Sequence, residues 1–217
     1  TVEEFGLMMH PKYSFLGASP DGIVNHYKLN GKHKTKYVGR MLEIKCPRSR
    51  PITGFPPEYY AAQVQGQLEV CDLEYCDFLE CDIREYKSKK QYLDDSFETE
   101  KNGEKYKDTR IRKNGNEKGV VIELYDHNLK KMIYEYAKSS MSQFEIEAWE
   151  EQVIDKSLEN EMLDYVTTSY WYLNEYCVTL IKRDKEFFND TYFEIEKFWN
   201  DVLHCRENGV DHLIKEK

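Results

Sequence analysis

The chain has 217 residues, 40% of them hydrophobic, with 17 tyrosines and 10 phenylalanines, which is enough apolar surface for one substantial core. No apolar run approaches the ~20 residues needed to cross a bilayer, so the chain reads as soluble, with no membrane partner. A net charge of −9 argues against partners held by overall positive charge, but affinity for a phosphate backbone is carried by local lysines and arginines, so their distribution decides.

In chain order, the first informative stretch is Gly17-Ala18-Ser19-Pro20-Asp21-Gly22, a turn that opens the apolar pair Ile23-Val24. Met41-Leu42-Glu43-Ile44-Lys45-Cys46 follows as a strand. Alternate side chains of a strand share a face, so Glu43 and Lys45 project together and Leu42 and Ile44 face the other way. One face is then expected to carry chemistry and the other to pack. A hairpin pairing the two strands brings the Asp21 carboxylate beside Glu43. With the Ile44 carbonyl as a further oxygen, this donor set suits a hard cation such as Mg²⁺ or Mn²⁺. Such a cation lowers the pKa of a bound water and offsets charge developing at phosphorus, while Lys45 orients that water or neutralises the phosphate. Asp-Gly alone is ordinary turn chemistry, and an acid two residues before a lysine is common on a solvated strand edge; the combination carries the reading.

Between His26 and Arg50, Lys28, Lys32, Lys34, Lys36, Arg40, Lys45, Arg48 and Arg50 stand against a single acid, Glu43. Asn30-Gly31 reads as a hairpin tip, which makes this stretch a basic ribbon beside the acids, suited to DNA, with a solvated hairpin as the plainer alternative. Residues 56–70 predict a helix with proline in its first turn and Glu58 near its positive end. Helical spacing sets Tyr60, Gln63 and Gln67 along one side. Gln63 both donates and accepts, so it can hold a water or a phosphate oxygen without competing for a metal; Gln65 and Gln67 read equally well as a polar helix face.

Tyr75 to Ile83 reads as another strand. Residues 85–118 contain ten basic and eight acidic residues with Gly103 and Asn114-Gly115, and predict a long mobile excursion or insertion without chemistry. Val120 to Leu124 is a short strand. Ser142-Gln143-Phe144-Glu145 is a capping box opening a helix in which Ile146, Trp149 and Val153 share a face. Trp171 to Ile181 is a strand, and Asp184 caps a helix to about Cys205 whose stripe of Phe188, Tyr192, Ile195, Trp199 and Val202 is expected to be core. Arg183 is the residue there to watch as a DNA contact. Cys46, Cys71, Cys76, Cys81, Cys177 and Cys205 form no Cys-x-x-Cys pair and read as reduced, mostly buried thiols of an intracellular compartment. No glycine-rich phosphate loop or internal repeat suggests ATP dependence.

Ser19-Pro20-Asp21-Gly22, Leu42-Glu43-Ile44-Lys45-Cys46-Pro47 and Tyr60-Ala61-Ala62-Gln63-Val64-Gln65, in that order, resemble the three blocks of the lambda-exonuclease-like, YqaJ-type viral recombinases of the PD-(D/E)XK nuclease superfamily. The resemblance covers residues 1 to about 83 and resumes near 171–205. It implies an α/β, restriction-endonuclease-like core: a central mixed sheet flanked by helices, with insertions and a C-terminal strand and helix. The implied layout is a single nuclease domain over 1–217, with a catalytic core at 1–84, an insertion at 85–170 and a completing strand and helix at 171–206. Asp21 and Glu43 are implied as metal ligands, Lys45 as the catalytic lysine, Gln63 as the motif glutamine and Ser19 as a phosphate contact. A processive 5′-to-3′ exonuclease acting on double-stranded DNA ends is implied, with a single-strand annealing partner and, as in the type member, a trimer. The family's upstream helix, with its further acid, would precede Thr1, so the chain reads as N-terminally incomplete or separately processed, and Glu3 and Glu4 do not take that acid's place. A junction-resolving or restriction-type endonuclease shares the core motif, and a non-cleaving DNA-binding module is the reading from a different class.

Overall fold

The computed structural model describes residues 1–25, 28–29, 32–33, 36–101, 103–210 and 213. In chain order the elements are β1 (Val2–Glu3), β2 (Met8–Met9), β3 (Gly17–Ala18), β4 (Gly22–Val24), β5 (Lys28–Leu29), β6 (Lys32–His33), β7 (Met41–Lys45), α1 (Glu58–Cys71), β8 (Tyr75–Glu85), α2 (Lys89–Asp94), β9 (Phe97–Lys101), β10 (Glu104–Asp108), β11 (Lys118–Asp126), β12 (Lys131–Tyr136), α3 (Gln143–Glu159), β13 (Leu163–Lys182) and α4 (Lys185–Asn208). They gather into two compact units, one of residues 1–45, 53–80 and 177–217, the other of residues 46–52 and 81–176, so β8 and β13 contribute to both. Residues 85–170, expected as an insertion, all lie within the second of these units. No helix among the described residues is long and apolar enough to cross a membrane.

In the first unit β1 pairs antiparallel with β4, β4 antiparallel with β7, and β7 parallel with β8, which is the mixed sheet expected of an α/β core. α1 lies over this sheet because Val64 and Leu68, four residues apart, meet Met41, Cys76, Phe78 and Ile181 in one buried cluster. The helix ends at Asp72, whose φ of 51° is left-handed and whose N–H returns to the carbonyls of Leu68 and Glu69. Gln65 ties α1 to the junction of β13 and α4: its Nε2 donates to the Lys182 carbonyl at 2.9 Å and its Oε1 accepts from the Asp184 N–H at 2.7 Å. Asp184 is the cap the sequence predicts, its carboxylate accepting from the N–H groups of Glu186 and Phe187.

The stripe on α4 is only partly core. Phe188 is buried, stacked on His10 at 6.2 Å, but Tyr192 and Trp199 are half-buried against Tyr13 and Phe15. Their cover is the short segment between β2 and β3 rather than a sheet, and a segment that small leaves part of each ring open to solvent.

In the second unit β11 pairs antiparallel with both β12 and β13. The predicted capping box at Ser142 and Glu145 is formed in full, and Ile146 of α3 joins Tyr92 and Val120 in a buried cluster bordered by Trp149 and Tyr170. Residues 85–118, expected as a long mobile excursion or an insertion, contain α2, the β9–β10 hairpin, a buried lysine and a half-buried ion pair. Lys118 is only 5% exposed; its ammonium donates to the carbonyls of Tyr92 and Asp95 and to Ser96 Oγ, and burial pulls its pKa down to about 8. Asp95 accepts from Arg112 Nε at 2.8 Å, the Tyr86 hydroxyl at 2.8 Å and the Lys113 N–H at 3.1 Å. The six cysteines form no disulfide, as expected, but among them only Cys76 is buried.

Burial raises the Asp95 carboxyl, yet Arg112, Tyr86 and the Lys113 N–H outweigh it and hold the group down at about 2. Its folded-state pKa therefore lies below the unfolded value of ~3.9, so its contribution is present above about pH 4 and lost as pH falls toward 2. Asp95→Asn is expected to lower urea-unfolding stability at pH 7 by about 2 kcal/mol, with the difference closing near pH 2. A difference of the same size at both pH values would rule out charge as its origin.

Candidate active site

The β4–β7 pairing sets Gly22 opposite Leu42, which leaves Asp21 at the entry to β4 beside the middle of β7. The Asp21 carboxylate accepts from the Ile44 N–H at 2.7 Å, so it is fastened to the residue between Glu43 and Lys45. Glu43 is 2% exposed. Its Oε1 accepts from Lys45 Nζ at 2.5 Å and from Gln63 Nε2 at 2.9 Å, and its Oε2 from Gln67 Nε2 at 2.9 Å. Lys45 Nζ also lies 4.9 Å from the centre of the Tyr60 ring. Tyr60, Gln63 and Gln67, expected on one side of α1, thus converge on the Glu43–Lys45 pair.

Which face of β7 packs is the reverse of the expectation. Met41 is fully buried and Glu43 nearly so beneath α1, whereas Ile44 is 39% exposed. The inward face of the neighbouring β8 explains this, because Cys76, Phe78 and Glu80 stand in register with Met41, Glu43 and Lys45 and fill the same layer. An acid tolerates that layer only when its oxygens are hydrogen-bonded, which the two glutamines and the lysine accomplish. The two acids share surroundings: burial pushes the Cys76 thiol up to about 12, and the Glu43, Asp77 and Asp21 carboxylates add to the rise.

The residues present fit a hard divalent cation. Asp21, Glu43 and the Ile44 carbonyl offer oxygen alone, and Mg²⁺ typically takes one or two protein carboxylates together with waters. Among the described residues no group of three or more His, Cys, Asp or Glu side chains is arranged to hold a metal. Gln67 Oε1, buried beside Glu43 and without a hydrogen-bond partner, is a further acceptor facing this layer.

The other expected contacts are more dispersed. Ser19 is exposed two residues before Asp21, and Lys32 and Lys36 are exposed, Lys36 with its Nζ 5.3 Å from the Tyr37 ring centre. Arg40 is engaged by Asp77 at 3.0 and 3.2 Å and lies over the Tyr37 ring. Arg48 is exposed and Arg50 half-buried, in the segment 46–52 that gathers with the second unit. Lys34, the Asn30-Gly31 tip and the side chain of Lys28 lie outside the described residues. Arg183 is 7% exposed and bound to Glu69 and Asp72, an internal tie rather than a surface cation. Sequence reasoning overlooked Glu80, a fully buried carboxylate opposite Lys45. Its signal was an acid at an inward position of the alternating strand Cys76, Phe78, Glu80.

Comparison with known proteins bears out the resemblance at the N-terminal end: residues 1–74 match the YqaJ-like viral recombinase domain. Across 240 aligned residues and 99% of the chain there is 36% identity to uncharacterized protein R354 of Acanthamoeba polyphaga mimivirus, of which 42% is covered. Among solved structures, the alkaline exonuclease LHK-Exo of Laribacter hongkongensis matches 38% of the chain at 31% identity, with a TM-score of 0.28 and 39% of that protein covered. The same enzyme in complex with dAMP matches with a TM-score of 0.29, at 33% identity and 38% coverage of each chain. The chain spans about two-fifths of the length of each of these relatives.

Proposed function

Taking the YqaJ-like viral recombinase domain of residues 1–74 as premise, we propose that this chain forms the catalytic core of a deoxyribonuclease dependent on Mg²⁺ or Mn²⁺ that degrades duplex DNA from its 5′ ends. The observation that carries this reading is the buried Glu43 carboxylate, gathered by Lys45, Gln63 and Gln67 next to an Asp21 fastened to the Ile44 N–H. Asp21, Glu43 and the Ile44 carbonyl hold the cation, which when bound supplies Lewis acidity toward a phosphodiester oxygen and a more acidic water. Lys45, already oriented by Glu43, donates to the scissile phosphate and offsets its growing charge. Gln63 directs the attacking water through its carboxamide, and Ser19 donates to a neighbouring phosphate oxygen. Lys28, Lys32, Lys34, Lys36, Arg48 and Arg50 meet the backbone of the duplex, and Arg40 does so only where Asp77 releases it. The same reading extends to a homo-oligomer, a trimer in the type member of the family, and to a single-strand annealing partner for the strand that resection exposes.

The test is degradation of linear duplex DNA carrying a label at the 5′ or the 3′ end, beside a covalently closed circle, with Mg²⁺ or with EDTA. Loss of label from linear DNA alone is expected, starting at the 5′ end. EDTA is expected to abolish it, and Asp21→Ala and Lys45→Ala each to slow it about 10²–10⁴-fold. Cutting of the circle would replace the exonuclease with an endonuclease, and a folded chain that neither binds divalent cations nor cleaves would be a binding module.

A further inference from the structure

The second unit contains a cavity of about 330 Å³ between β11, β13 and the start of α3, a size at the lower end of small-molecule pockets. One wall is the indole of Trp171. It stands opposite Gly119 in the β11–β13 register, and a Cβ at Gly119 would come within 2.7 Å of the ring, so the bare glycine lets the indole lie against the strand. Arg110, Lys118 and Lys138 line the cavity against the single acid Glu117. The guanidinium of Arg110 is held by Asp108 through Nε and Nη2, at 2.8 and 2.6 Å, while Lys138 is exposed at the rim. Lys118 spends its donors on Tyr92, Asp95 and Ser96, and so contributes positive potential rather than a bond.

The second observation is Tyr92. It lines the cavity, is fully buried, and its hydroxyl has no hydrogen-bond partner among the described residues. Buried hydroxyls are almost always paired, because an unpaired one costs stability without return in the ligand-free protein. An aromatic wall, a hydroxyl in need of a partner and cations at the mouth are together suited to a planar polar ring that carries an anion.

We propose that this cavity binds a nucleoside monophosphate unit, its base against Trp171 and within reach of the Tyr92 hydroxyl, its phosphate at Arg110 and Lys138. Stacking on an indole tolerates any base, and charge-assisted bonds to the phosphate fix the orientation. The unit is either a free nucleotide or one nucleotide of a single strand. All of the residues involved belong to the second unit, so the inference does not depend on the nuclease reading.

The experiment is calorimetric titration of the full chain bearing Asp21→Ala, in EDTA, with dAMP and with a short single-stranded oligothymidylate. Binding of dAMP is expected, weakened about tenfold or more by Trp171→Leu and by Lys138→Glu. Because Trp171→Leu also disturbs packing on Gly119, the rim substitution at Lys138 serves as the variant free of that effect. Tyr92→Phe is expected to raise Tm without ligand and to weaken dAMP binding, a pairing that a purely structural tyrosine would not produce. Competition between the oligonucleotide and dAMP would assign the site to single-stranded DNA, and dAMP binding without competition would assign it to a free nucleotide. Absence of binding to both, or affinity unmoved by Lys138→Glu and Tyr92→Phe, would overturn the proposal.

Discussion

Glu43→Gln is expected to slow Mg²⁺-dependent DNA cleavage about a thousandfold while the chain stays folded. The substitution preserves size in a layer where Glu43 is 2% exposed, and the remaining amide oxygen can still accept from Gln63 or Gln67. It removes the negative charge that Lys45 Nζ meets at 2.5 Å, and with it half of the carboxylate charge available to a cation. Transition-state stabilisation by a bound metal amounts to several kcal/mol, and each ~1.4 kcal/mol is a factor of ten in rate, so losing most of it gives about 10³. The measurement is kcat on linear duplex across a Mg²⁺ titration, with thermal unfolding followed in parallel. Full recovery of rate at high Mg²⁺ would reduce Glu43 to a binding role, and a folded variant within tenfold of the parent at all concentrations would remove it from the reacting centre.

Most of this site was legible because its parts are close in sequence and obey two simple periods. Period two placed Glu43 and Lys45 together, helical spacing placed Tyr60, Gln63 and Gln67 together, and a turn at Asp21 required only pairing of neighbouring strands. What alternation cannot disclose is which face turns inward. Ile44 is the apolar choice for the interior, yet the face under α1 is the one bearing Met41, and Glu43 accompanies it because two glutamines from that helix satisfy its oxygens.

The order within residues 85–118 was not legible for a related reason. A segment rich in both charges looks solvated until its pairings are known, and these join residues far apart along the chain. Asp95 meets Arg112 across 17 positions, and Lys118 reaches back 23 positions to the Asp95 carbonyl. Composition counts such charges but does not say whether water or a carbonyl oxygen solvates them. The seam between the two units was equally invisible, since β8 and β13 run on without any glycine, proline or change of pattern to mark where one unit ends.

Arg183 is the clearest case, and it yields the second large effect: Arg183→Met is expected to destabilise the first unit by about 3–5 kcal/mol rather than to weaken DNA binding selectively. Its guanidinium, 7% exposed, donates through Nε and Nη2 to Glu69 Oε2 at 3.0 and 2.7 Å and through Nη1 to Asp72 at 2.7 Å, residues more than 100 positions earlier in the chain. Glu69 and Asp72 sit at the end of α1, so this one side chain fastens the helix that carries Gln63 and Gln67 to the junction of β13 and α4. Removing it leaves the largely buried Glu69 carboxylate without its main partner, since His10 Nε2 is 3.7 Å away. For a chain of this size the loss corresponds to a fall in Tm of roughly 10 °C. Arg183→Lys is expected to recover less than half of it, because an ammonium cannot reproduce the paired Nε and Nη2 contact to Glu69 Oε2 while also reaching Asp72. The decisive comparison is thermal unfolding beside the salt dependence of duplex binding. A Tm unchanged from the parent, combined with a shallower salt dependence, would return Arg183 to the DNA-binding surface and sink its role as a tie.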